Sequence, residues 1–223
     1  MNDFELGFSR FSHLPRLAAG SHEPGSGKAC AMNFISYING DTKITDYPEC
    51  SARPLARMVQ ALNDRLAGAD GYLSPENSVI VLDLGWLTVG TVGTPREVVW
   101  RWLADLLVDP THGVVKHARR PAATAAIRRV AELCVRQADG GVVSATEWRE
   151  ARAAADAYAY AAAAAYAAAA AAADAYAYAY GARSARIEFT RWAIAHWREL
   201  AGLDNADDIE AAAVNSALER INA

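Results

Sequence analysis

Apolar positions recur at intervals of three and four along most of this chain, the period of amphipathic helices. Leu55, Met58, Val59, Leu62 and Leu66 form such a stripe over about residues 54–67, with Pro54 in the first turn and Gly68 as the stop. Thr94-Pro95-Arg96-Glu97 reads as a capping box with proline at the first helical position. It opens a helix to about residue 108 that carries Val99, Trp102, Leu103 and Leu106 and ends at Asp109-Pro110. A helix over about 121–138 turns Ile127, Val130, Leu133 and Cys134 inward. Ile187, Ile194, Trp197 and Leu200 predict a helix over 184–201, and Gly202 and Asp204 separate it from a last helix near 206–221. Residues 29–38 predict a short helix stopped by Asn39-Gly40, with a strand as the alternative. Residues 74–90 open on Ser74 and Pro75 and lean helical, although they are rich in β-branched residues and Gly85 and Gly90 weaken a helix. Phe4, Phe8, Phe11 and Leu14 share one face of a short helix ending near Pro15. The pattern is mainly α.

One stretch dominates it. From Ser144 to about Tyr180 the chain is mostly alanine punctuated by tyrosine. Alanine loses no side-chain entropy on ordering and has the highest helix propensity. Ser144 and Glu147 form a capping box after Asp139-Gly140-Gly141, and Gly181 is the first stop or kink. Such a helix, over about 144–180, is roughly 54 Å long at 1.5 Å per residue. The hexad Ala-Asp-Ala-Tyr-Ala-Tyr occurs at 155–160 and again at 173–178. That shift is five whole helical turns, so Asp156 overlies Asp174 and Tyr160 overlies Tyr178. Trp148, Tyr158, Tyr166, Tyr176 and Tyr180 fall on one stripe roughly 80° wide, whereas Tyr160, Tyr178, Asp156 and Asp174 face away from it. Two readings follow: a core helix packed inside one domain, or a helix–helix assembly surface. The expected architecture is a helical bundle organised around this helix, with a small loop-rich N-terminal module at 1–70 packed on a bundle at 71–223.

Length, charge and cysteine usage bound the function. The chain has 223 residues and a net charge of −4, which argues against holding nucleic acid by its overall field. Its first residues, MNDFELGF, lack the basic and apolar regions of a secretion signal. Three unevenly spaced cysteines do not read as a disulfide framework. The expectation is a reducing cytoplasm. Residues 157–173 lack charge, but alanine is too weakly apolar for a membrane span.

One constellation could carry chemistry. His22, Cys30 and Cys50 flank two loop–helix junctions, and each is a competent ligand for a borderline-soft metal. Zinc is the candidate metal, with Glu23, Asp46 or His13 completing the set; no Cys-x-x-Cys pair supports it, and plain packing of the cysteines competes. Cys30 in the first turn of a helix would have its thiol pKa lowered by the helix dipole, and with His22 as base it could be a nucleophile. Gly27-Lys28 does not make a phosphate-binding loop, because His22 stands where glycine is needed and Ala29 where serine or threonine is needed. Cys134 falls on a core stripe, and His112, His117 and His196 show no metal spacing. Arg119, Arg120, Arg128 and Arg129 make a small basic patch, read first as a solvated face.

The N-terminal third reads Gly20-Ser-His22, Cys30-Ala-Met32-Asn33, Gly40-Asp41, Asp46-Tyr-Pro48-Glu-Cys50 and Leu62-Asn63-Asp64. This block resembles a bacterial and phage protein family with Gly-x-His, Cys-x-Met-Glu, Gly-Glu, Asp-x-Pro-x-Cys and Leu-Asn-Asp motifs and an Ala-rich helical C-terminal half. The family has no established activity, so the resemblance supplies no catalytic residues; it does imply that His22, Cys30 and Cys50 belong together. Asn33 and Asp41 stand where glutamates are expected, which counts against an acid/base role. The first reading is a non-enzymatic helical interaction protein that self-associates through the Ala/Tyr helix or pairs with another helical protein, with His22, Cys30 and Cys50 as a candidate structural zinc site. The alternatives are a metal- or cysteine-dependent enzyme using His22, Cys30 and Cys50, and a nucleic-acid-associated regulator.

Overall fold

A computed structural model of the chain describes residues 8, 14, 16–118, 120–151, 153, 175–204, 206–207 and 209–222. Asp156, Tyr160 and Asp174 lie outside the described residues, as do His13, Arg119 and most of the predicted 144–180 helix; Tyr178 enters only as helical backbone. The described residues are mainly helical and form no strand, only isolated antiparallel bridges such as Ser51 with Val89. The chain divides into two compact units, one of residues 1–93 with 186–223 and one of residues 94–185. Residues 71–93 thus share a unit with 1–70, because the helix they carry packs against the two before it.

In the first unit, α1 (Ala31–Asn39) is the buried centre. Every residue from Ala31 to Tyr37 is buried, so the helix is enclosed all round rather than on one stripe. It packs on α2 (Arg53–Leu66), α3 (Pro75–Trp86) and α8 (Ala211–Asn222). The segment predicted at 29–38 therefore resolves as helix from Ala31 to Asn39, and Gly40 ends it in the left-handed conformation at φ 76°, with its N–H returned to Ser36 and Tyr37. The start is capped by an unusual box: Asn33 N–H donates to Cys30 Sγ at 3.4 Å, and Cys30 N–H donates to Asn33 Oδ1 at 3.3 Å.

The segment after Ser74 is helix, as the Ser74 cap and Pro75 suggested; Ser74 Oγ accepts from Asn77 N–H. Gly85 does not weaken α3 so much as let α1 approach it. A Cβ there would stand 3.1 Å from Ile35 Cγ1 and 3.6 Å from Met32 Sδ. Phe8 lies buried with edge contacts to Phe34 and Trp86. In α7 (Ala175–Leu200) the backbone passes through Gly181 without interruption, since one glycine costs only about 1 kcal/mol among good helix formers. Its C-terminal part buries Ala193, Ile194 and Trp197, and Arg198 donates to the carbonyls of Leu87, Val89 and Asp204.

The second unit pairs α4 (Arg96–Val108) with α5 (Pro121–Ala138). The N-cap of α4 is Pro95, one place later than the Thr94 box suggests, so the helix starts at Arg96. Ala104, Ala131 and Cys134 form the packed centre, flanked by Leu103, Leu107, Val130 and Trp148. A further helix, α6, opens at 145 and is described to 151. Its capping box is formed as the sequence predicts: Ser144 Oγ accepts from Glu147 N–H at 3.2 Å, and Glu147 accepts from Ser144 N–H at 2.9 Å. Arg136 adds an ion pair to Glu147 at 2.5 Å, and Trp148 stacks on Trp100 with ring centroids 5.5 Å apart.

Candidate functional site

The loop between α1 and α2 is held by two buried carboxylates. Asp41 accepts from Ser36 Oγ at 2.6 Å, from Glu49 N–H at 3.2 Å and from Asn39 Nδ2. Asp46 accepts from four side chains. Asn33 Nδ2, at 2.9 Å, and Cys30 Sγ, at 3.4 Å, reach Oδ1; Gln60 Nε2, at 2.7 Å, and Ser21 reach Oδ2. Next to this cluster Asn63 is fully buried, accepting from Ala31 N–H and donating to Ala18 O. Buried polar groups are costly unless paired, so the cluster fixes one arrangement of residues 18–63.

The three sequence candidates are placed differently within this frame. Cys30 is fully buried at the start of α1. Burial first, and the neighbouring Asp46 carboxylate after it, push its thiol from 9.0 up to about 12. The N–H groups at the helix start act in the opposite direction, as a dipole argument predicts, but they are outweighed. The lowered pKa expected of a first-turn cysteine is therefore reversed, because the thiol is dry and faces an anion rather than a cation. Cys50 is half-buried, with Sγ 3.7 Å from Ser51 Oγ, and burial followed by the Asp41 charge raises its pKa as well. Its segment is docked on the end of α3, where Gly90 N–H donates to Cys50 O and Ser51 Oγ lies 2.8 Å from Thr88 Oγ1. His22 is half-buried, and its Nε2 is buried without a hydrogen-bond partner among the described residues. All three cysteines are free, Cys134 in the core of the second unit. Among the described residues no group of three His, Cys, Asp or Glu side chains is arranged to hold a metal ion. Of the proposed completions Asp46 does reach Cys30, but as an acceptor for its thiol proton.

The basic patch is partly spent on ion pairs: Arg129 lies 3.5 Å from Glu132 and 3.9 Å from Glu147. A different basic feature went unseen in the sequence. In the first unit, α2 and the C-terminal part of α7 border an open groove of about 560 Å³. Met58, Leu62 and Phe189 supply its apolar surface, and Arg57, Arg65 and Arg186 stand exposed around it. Met58, assigned inward by periodicity, is half-buried in this groove instead. The groove joins helices that are more than 100 residues apart in the chain, so no local pattern announces it. No helix among the described residues is long and apolar enough to cross a membrane. Compared with family models, curated proteins and solved structures, the chain matches none.

Proposed function

We propose that this chain is a non-enzymatic helical interaction protein of bacterial or phage origin, associating with itself through the Ala/Tyr stretch. The observation that carries the reading is the condition of Cys30. A thiol that is fully buried, donated to Asp46 and raised to about 12 is a poor nucleophile near neutral pH. Its partners Asn33 and Asp46 bind each other, and Gln60 binds Asp46 in turn, so the cluster works as a structural clasp. The interaction half of the reading is supported by the 18-residue sequence repeat, which on a helix would place Asp156 in line with Asp174 and Tyr160 with Tyr178. The origin rests on the N-terminal block of motifs alone. Sedimentation velocity over a dilution series tests the reading. The full chain should associate, and Tyr160→Ala combined with Tyr178→Ala should shift it toward monomer; a parent that is monomeric at every concentration overturns self-association.

A second reading, a metal-dependent enzyme using His22, Cys30 and Cys50, is favoured by the unpartnered His22 Nε2. Metal analysis of the purified protein tests this second reading: if no zinc is bound, the metal-dependent version falls.

A further inference from the structure

Of the eight described arginines of the first unit, four are engaged through contacts of their own. Arg16 pairs with Asp70 at 2.6 Å, Arg53 stacks over the Tyr47 ring, Arg198 binds three carbonyls, and Arg220 stacks over Tyr37. Arg57, Arg65 and Arg186 have no ion-pair, hydrogen-bond or ring partner among the described residues, and all three border the same groove. Among the described residues no acidic side chain lines that groove, on a chain whose net charge is −4. Three like charges around one apolar trough repel one another, and an isolated chain gains nothing from that placement.

The trough has the dimensions of a helix seat. Its α2 wall runs from Pro54 to Arg65, about 17 Å at 1.5 Å per residue, or roughly three turns. Its residues repeat at three and four, as the ridges that receive another helix do. Ala61 is exposed midway along that wall, where a small side chain lets a second helix approach closely. The groove is open rather than enclosed, so a small amphiphile would leave much of its surface in water, whereas a helix would reach both walls.

We propose that this groove is the docking site for an acidic amphipathic helix of a partner protein, about three turns long. Its apolar residues would pack on Met58, Leu62 and Phe189, and its flanking carboxylates would meet Arg57, Arg65 and Arg186. Arginine suits this role because its planar fork binds carboxylate bidentately and is only weakly hydrated. The proposal rests on the interaction reading above and supplies the chemistry of the partner.

The test uses a fluorescein-labelled synthetic helix with leucines at the three–four spacing and glutamates on both flanks, and a twin carrying lysines in place of the glutamates. Binding to the full chain is read by fluorescence anisotropy. The glutamate peptide should bind and weaken as salt is raised, and the lysine peptide should not bind. Arg57→Glu with Arg65→Glu should weaken binding at least about tenfold, and Arg57→Lys should weaken it less. Because these residues are exposed, the variants should melt like the parent, and Phe189→Ala gives an independent apolar variant. Equal binding of both peptides, or unchanged binding by the double variant, overturns the proposal. So does tighter binding of a labelled single-stranded oligonucleotide than of the glutamate peptide. If the double variant abolishes self-association while the glutamate peptide stays unbound, the seat belongs to a second copy, and the proposed partner falls while the interaction reading stands. If the peptide binds as expected and the chain never self-associates, the reverse holds.

Discussion

Replacing Asp46 by asparagine is the sharpest perturbation of the α1–α2 clasp. Each carboxylate oxygen serves two donors: Cys30 and Asn33 at Oδ1, Ser21 and Gln60 at Oδ2. Asparagine keeps the shape but turns one oxygen into an NH2 that faces two donors. Two bonds are lost and the other two lose their ionic partner. Hydrogen bonds to charged groups contribute about 1.5–3 kcal/mol each. Ser21 is exposed and can turn its hydroxyl to accept, which recovers part of the loss. The net cost should be about 2–4 kcal/mol. For a chain of this length that lowers Tm by roughly 5–15 °C, read by far-ultraviolet circular dichroism. The thiol of Cys30 supplies a second readout. Removing the Asp46 charge removes a cause of its raised pKa but not the largest, burial. Thiolate absorbance should therefore titrate below about 12 and still above 9.0. A variant melting within about 2 °C of the parent refutes the clasp.

Glu147 is held down to about 2 by the N–H and hydroxyl of Ser144 and by Arg136, against an ordinary 4.5. Its folded value is the lower one, so its contribution is full above 4.5 and fades as pH falls toward about 2. Glu147→Gln should flatten the acid dependence of thermal melts over that window; an unchanged profile contradicts it. Cys30 runs the other way: its folded value is raised, so its contribution is full below 9.0 and is lost as pH climbs toward about 12. Urea titrations in that alkaline range should show Cys30→Ser less pH-sensitive than the parent, and equal slopes would sink the argument. Gly85→Ala places a methyl 3.1 Å from Ile35 Cγ1, and overpacking of about 1–3 kcal/mol should outweigh the helix propensity gained, of about 1 kcal/mol. A stabilised variant in chemical denaturation would show that α1 and α3 have room to spare.

The parts of this fold that were legible are the local ones. Ser144 with Glu147, Ser74 with Pro75 and the Asn39-Gly40 stop all act within four residues, and the structure realises each. The Cys30–Asn33 box was missed because neither residue is the usual capping type, although the i to i+3 spacing was there. Asp46 reads in sequence as a motif residue and an optional ligand, yet it is the hub. Its donors Ser21, Cys30, Asn33 and Gln60 lie 13 to 25 residues away, and amides such as Asn33, Gln60 and Asn63 carry no signature in sequence. Alanine abundance marks 144–180 in the sequence, whereas the enclosed helix of the first unit is α1, nine residues long and ordinary in composition. Periodicity assigned Met58 inward because it cannot tell a buried neighbour from the wall of a groove.

The division of the chain also bears on how the protein is made. The second unit is one continuous stretch, 94–185, while the first is assembled from both sides of it. Trp86 donates to Asp207, Arg198 holds Leu87 and Val89, and Arg220 reaches back to Tyr37. A ribosome that has just released α3 has therefore produced a half-core whose missing contacts lie beyond the whole second unit. At about 5–20 residues per second that half waits roughly 7–27 s, with α1 and its apolar surface short of α8. The later-encoded unit can close first, and the earlier-encoded one must remain unfinished until the last helices emerge.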